Sequence, residues 1–64
     1  MSATGFLDGN DPLFDNGTEV FDENGTIGFV MKTESVDGER FVTLMNVGGK
    51  SWITNERNCM KAVL

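Results

Sequence analysis

From residue 17 onward, apolar and polar residues alternate in short runs, and a glycine-containing step ends most of them. The runs are TEVFD (18–22), TIGFVMKTESV (26–36), RFVTLMN (40–46), KSWIT (50–54) and CMKAVL (59–64). Most are rich in threonine, valine, isoleucine and phenylalanine, and the second and third show a period of two, the signature of strands. No window sustains an apolar period of 3.6, and glycine interrupts every candidate helix. The pattern therefore predicts an all-β domain of five short strands. Asn24-Gly25 and Asp37-Gly38 predict type I′ hairpin turns, in which both central residues need positive φ. Gly48-Gly49 predicts a third tight turn. Residues 55–58 (NERN) predict a single tight helical turn, with Thr54 or Asn55 as its cap.

Alternation also assigns faces. Ile27, Phe29 and Met31 fall on one side of the second strand, and Gly28, Val30 and Lys32 on the other. In the third strand Val42 and Leu44 oppose Phe41, Thr43 and Met45. A sheet this small removes its exposed edges by curling into a barrel, here around Val20, Val30, Val42 and Leu44. Such a barrel buries one face only, so the apolar residues of the second must meet the N-terminal segment or a partner, including a second copy. Met31, Met45 and Met60 are expected to fill gaps in the core rather than form an adaptable binding surface. Gly28 is expected where the chain bends or another backbone comes close. The single tryptophan, Trp52, has two readings: part of the core, or an interface anchor of the kind tryptophan often provides.

Residues 1–16 hold three aspartates, two asparagines, two glycines and the only proline, Pro12, and show no period. They predict an irregular acidic arm, with residues 17–64 as the folded domain. Four large apolar side chains in that arm, Phe6, Leu7, Leu13 and Phe14, predict that it docks on the domain or on a second subunit. FDNGTEV (14–20) echoes FDENGTIG (21–28); two copies without a third make a pair of similar turns, not a repeat architecture.

The spacing of Gly17-Thr-Glu-Val20 and Gly25-Thr-Ile-Gly28-Phe-Val30 resembles the opening of SH3-like small β-barrels of the KOW and Tudor kind. The Asp-Gly hairpin, the Val/Leu strand, the Gly-Gly turn, the Ser-Trp-Ile strand and the short helical turn before a last strand continue that likeness over residues 17–64. The resemblance implies a five-stranded SH3-like barrel with one 3-10 turn. Nucleic-acid-binding members carry a basic strip; this chain does not.

Charge narrows the partners. The 64 residues carry a net charge of −5. Residues 1–31 hold six acids (Asp8, Asp11, Asp15, Glu19, Asp22, Glu23) and no lysine or arginine. Phosphate backbones repel such a surface, whereas a basic protein patch is attracted to it; the acids also keep a small domain soluble. Chemistry is sparse. Without histidine, and with Cys59 as the only thiol, a disulfide within the chain, a zinc site and a base-activated nucleophile are all poorly served. Residues 20–31 match a calcium loop only in part, because Val20 and Met31 stand where acids are required. GGKS at 48–51 lacks the first glycine of a phosphate-binding loop. Catalysis, metals and cofactors are therefore not expected. No secretory leader or membrane-length apolar run is seen, and a lone thiol fits the cytoplasm.

The sequence thus predicts a non-catalytic protein-binding module, an accessory or regulatory protein of the size that phages and plasmids encode. Its contacts are expected at Trp52, Phe29 and Phe41, with Asp15, Glu19, Asp22 and Glu23 attracting a basic partner. A second reading is an inhibitor whose acids imitate nucleic-acid phosphates. A third, direct nucleic-acid binding, requires Lys32, Arg40, Lys50, Arg57 and Lys61 to share one face. A homo-oligomer is compatible with the first reading.

Overall fold

The computed structural model describes residues 12–62. Five antiparallel strands form one sheet: β1 (Glu19–Phe21), β2 (Ile27–Val36), β3 (Glu39–Met45), β4 (Ser51–Asn55) and β5 (Met60–Lys61). A 3-10 turn, Glu56–Asn58, separates the last two. The spatial order is β4-β3-β2-β1-β5, so the last strand returns to pair with the first. Each of the five predicted runs forms a strand. The last run yields only the two residues of β5, with 63 and 64 outside the described residues, as is the arm up to residue 11 with Phe6 and Leu7.

The core is the one that alternation assigns. Val20, Val30, Val42 and Leu44 are at most 1% exposed, and Phe14, Trp52 and Cys59 pack against them. Register explains the convergence: Val20 faces Gly28 across β1–β2, and Val30 faces Leu44 across β2–β3. The arm docks at its described end. Phe14 lies on the core, and the Leu13 N–H donates to Glu56 Oε2 at 3.0 Å.

The face assignment fails at one point. A bulge between Val30 and Lys32 shifts the register, so Lys32 stands opposite Thr43, and Thr33 opposite Val42. Lys32 thereby leaves the Val30 side for the outward side, where its ammonium meets Glu34 at 3.6 Å. A bulge supplies one extra residue and reverses the alternation beyond it. The methionines are also not core. Met31 and Met60 are 46% and 71% exposed, and Met45 is half-buried on the outward side of β3.

Two Asx-Gly turns that look alike in sequence differ in space. At Asp37-Gly38 both residues have positive φ, 52° and 81°, in a two-residue hairpin joining Val36 to Glu39, as type I′ requires. In the loop holding Asn24-Gly25 only Gly25 is positive, at 80°. The Gly25 N–H donates to the Asp22 carbonyl and the Asp22 N–H to the Thr26 carbonyl, both at 2.9 Å. This is the three-residue type I turn with a glycine bulge. The Asp22 carboxylate selects it, since Oδ1 accepts the N–H groups of Asn24 and Thr26 at 2.9 and 2.8 Å. The echo FDNGTEV forms yet another turn, closed by Thr18 N–H to the Asp15 carbonyl at 3.1 Å, so the two copies are not alike in structure.

Candidate functional site

The loop 46–50 is the true twin of the loop 22–26. The Asn46 N–H donates to the Lys50 carbonyl at 2.9 Å and Gly49 N–H to the Asn46 carbonyl at 3.0 Å. Asn46 Oδ1 accepts from Gly48 and Lys50 at 2.9 and 3.0 Å, the bonds that Asp22 makes in the first loop. Between the twins lies a cleft of about 250 Å³ lined by Asp22, Thr26, Asn46, Lys50 and Trp52.

Trp52 is held on three sides. Its strand sets it opposite Leu44, and its ring reaches one strand further to lie against Gly28. A Cβ built on Gly28 would stand 3.0 Å from Cη2 of the ring. The glycine therefore makes room for an indole, where the sequence suggested an approaching backbone. The indole Nε1–H donates to Asp22 Oδ2 at 3.1 Å. Trp52 thus belongs with the core cover, half-buried, with part of the ring bordering the cleft. Beside it, the Thr54 hydroxyl donates to Glu23 Oε1. Asp22 and Glu23, expected to attract a partner, are engaged in tying the β1–β2 loop to β4. Asp15 is exposed at the start of β1's approach, and Glu19 is half-buried on β1.

Phe29 and Phe41 occupy the outward face. Phe29 stands opposite Glu19 and Met45, and Phe41 opposite Glu34 and Asn55; both are half-buried. Around them the face carries Phe21, Ile27 and Ile53, which were not expected as contacts, and Met60, which was expected in the core, at 39%, 41%, 67% and 71% exposure. The signal for these was present. Once Val20 points inward Phe21 must point out, and Phe21 is flanked in register by Ile27 and Met60.

Glu56 is a further residue whose role the sequence did not disclose. It is fully buried, and its Oε1 lies 3.0 Å from Arg40 Nε, itself 15% exposed. With Oε2 on Leu13 N–H, one carboxylate joins the 3-10 turn, β3 and the arm. Asn55 caps the turn, accepting from Arg57 N–H at 3.3 Å. A second cleft of about 340 Å³ runs past this region, lined by Asp37, Gly38, Glu39, Arg40, Asn55 and Arg57. Within it Glu39 Oε2 accepts from Asn55 at 2.6 Å and lies 3.9 Å from Arg57.

Burial pushes the Cys59 thiol up from 9.0 to about 11, and the charges of Glu23, Asp22 and Glu56 add to the effect. A thiol kept protonated is a poor nucleophile. Among the described residues no group of three or more His, Cys, Asp or Glu is placed to hold a metal ion, and no helix is long and apolar enough to cross a membrane. The five bases do not share one face: Lys32 points outward, whereas Arg40 lies half-buried against Glu56. Comparison with family models, curated proteins and solved structures finds no match for this chain.

Proposed function

We propose that the protein is a non-catalytic protein-binding module that works through the outward face of its sheet. One observation carries the reading. Val20, Val30, Val42 and Leu44 are buried on the inner side, yet Phe21, Ile27, Ile53 and Met60 remain exposed on the other, beside Phe29 and Phe41. Large apolar residues gathered on one face mark an interaction surface more often than a solvated one. Trp52, committed to Gly28 and Asp22, is at most a border residue of such an interface. The acidic balance favours a basic partner.

The scaffold is best read as an SH3-like barrel. Five antiparallel strands, a 3-10 turn before the last of them and the pairing of β5 with β1 support that reading. Strand pairing leaves the sheet open at β4 and β5; the Asp22–Trp52 and Glu23–Thr54 bonds, which link the β1–β2 loop to β4, support a curled rather than a flat sheet. The inhibitor that mimics phosphates has less support, because the carboxylates of Asp22, Glu23, Glu39 and Glu56 are bonded within the chain.

Affinity capture from the native host, repeated across a range of salt, tests the reading. A partner held by apolar contact stays bound as salt rises and is lost from a Phe29→Glu, Ile53→Glu variant, which puts a charge on both halves of the outward face. Capture that disappears steeply with salt and ignores those substitutions supports the phosphate mimic instead.

A further inference from the structure

The outward face narrows the chemistry of the partner, an inference that rests on the protein-binding reading. At one end of the face Met60, Phe21 and Ile27 lie side by side across β5, β1 and β2, and Phe29 stands two residues beyond Ile27 on the same side. Met31, at the bulge, is 46% exposed. Within this patch Glu19, directly opposite Phe29, forms no side-chain hydrogen bond or ion pair with the described residues. We propose that this patch docks a basic amphipathic helix of a partner protein, with apolar side chains over Met60, Phe21, Ile27 and Phe29 and a lysine or arginine on Glu19.

The geometry favours a helix because the apolar row runs across strands rather than along one. Opposed side chains on neighbouring strands stand about 4.5–5.5 Å apart, close to the roughly 5–6 Å between helical positions i and i+4. The methionines give the surface the adaptability to seat such a ridge. The exposed apolar area of the patch is roughly 400 Å², within the usual size of a functional patch. Charge argues against a second copy as the occupant, since two copies meeting on this patch would bring two Glu19 carboxylates into one apolar contact. Residues 1–11 fit no better: they offer Phe6 and Leu7, but with Asp8 and Asp11 and no lysine or arginine.

The test uses the full chain, ¹⁵N-labelled, and two synthetic peptides of fourteen residues. One carries leucines along one helical face and lysines elsewhere; the other has glutamate in place of every lysine. The leucine–lysine peptide should shift the amides of β1, of residues 27–31 and of β5, and the leucine–glutamate peptide should not. Glu19→Lys, Ile27→Glu and Met60→Glu should each weaken binding at least tenfold while spectral dispersion stays native, and Lys50→Ala should change it less than twofold. Shifts centred on the Trp52 cleft, or affinity unchanged by all three patch variants, overturn the proposal. So does a dimer in sedimentation that the Ile27→Glu variant dissociates. So do shifts of the patch amides in a Phe6→Ser, Leu7→Ser variant of the free protein, which would show the chain's own arm on the patch. Host capture separates this inference from the reading beneath it. A partner retained equally by wild type and the patch variants leaves the protein-binding reading standing and removes this surface; no protein captured by wild type removes both.

Discussion

Replacing Gly28 with alanine isolates the contact between β2 and Trp52. The new Cβ would meet Trp52 Cη2 at 3.0 Å, Leu44 Cβ at 3.1 Å and Trp52 Cζ2 at 3.2 Å. Carbon atoms prefer about 3.5–4.0 Å, so three contacts are short by roughly half an ångström. The neighbours have little room to yield. Leu44 Cβ is fixed to the backbone of a central strand, and the ring is tied to Asp22 through its N–H. Overpacking of this kind costs about 1–3 kcal/mol. The loss of unfolded-state freedom returns about 0.4–1 kcal/mol, which leaves a net destabilisation of about 1.3 kcal/mol at the middle of both ranges. For a domain of this size that lowers Tm by about 5–10 °C. Urea titration followed by far-UV circular dichroism measures it, because the signal survives removal of the only tryptophan. Trp52→Phe removes the ring atoms that the Cβ meets, so the double variant should show a coupling of about 1 kcal/mol in the compensating direction. If Gly28→Ala is neutral or stabilising, and its effect adds to that of Trp52→Phe, the ring does not lie on Gly28 and the reasoning is wrong.

Three further expectations follow from the same contacts. Glu56→Ala removes the buried carboxylate from Arg40 and releases the Leu13 N–H, at a cost of about 3–5 kcal/mol; a Glu56→Leu, Arg40→Met double variant should recover much of that loss in urea titration. Asp22→Ala should destabilise more than Asn46→Ala, whose loss is about 1–2 kcal/mol, because only Asp22 adds an indole bond to the two turn bonds the twins share; equal losses would count against the link to β4. The folded thiol of Cys59 is raised from 9.0 to about 11, so the folded protein holds that proton more tightly than the unfolded one. Its contribution is intact below pH 9 and is lost as pH rises towards 11. Cys59→Ser should remove that slope from a stability–pH profile, and the folded thiol should react slowly with iodoacetamide until urea is added.

Much of the scaffold is legible in the order of residues, and what is not has physical causes. Val20, Val30, Val42 and Leu44 are readable as core because period two and glycine punctuation agree with each other. Asp37-Gly38 is readable because a two-residue hairpin leaves its dipeptide one conformation that fits. Asn24-Gly25 is not, because the Asp22 carboxylate two residues earlier captures the loop amides and changes the turn. The bulge is hidden for a related reason: an inserted residue among Met31, Lys32 and Thr33 leaves a stretch that still alternates plausibly in either register. Glu56 is the least legible. An acid in a polar turn reads as solvated, and its burial depends on Arg40, sixteen residues earlier, and on the Leu13 amide, forty-three away. The outward face is half legible: Phe29 and Phe41 stand out by size, whereas Phe21 and Met60 acquire meaning only when β1 and β5 are seen to pair.

The claim that most needs a direct test is that the sheet has two separate apolar sides, one sealed to hold the fold and one left open to a partner. Solvent paramagnetic relaxation of the methyl groups, measured on the free protein with a soluble gadolinium agent, reads both sides at once. Strong broadening is expected at Ile27, Met31, Ile53 and Met60, and little or none at Val20, Val30, Val42 and Leu44. Equal protection of the two sets would contradict the account, because the outward face would then already be covered.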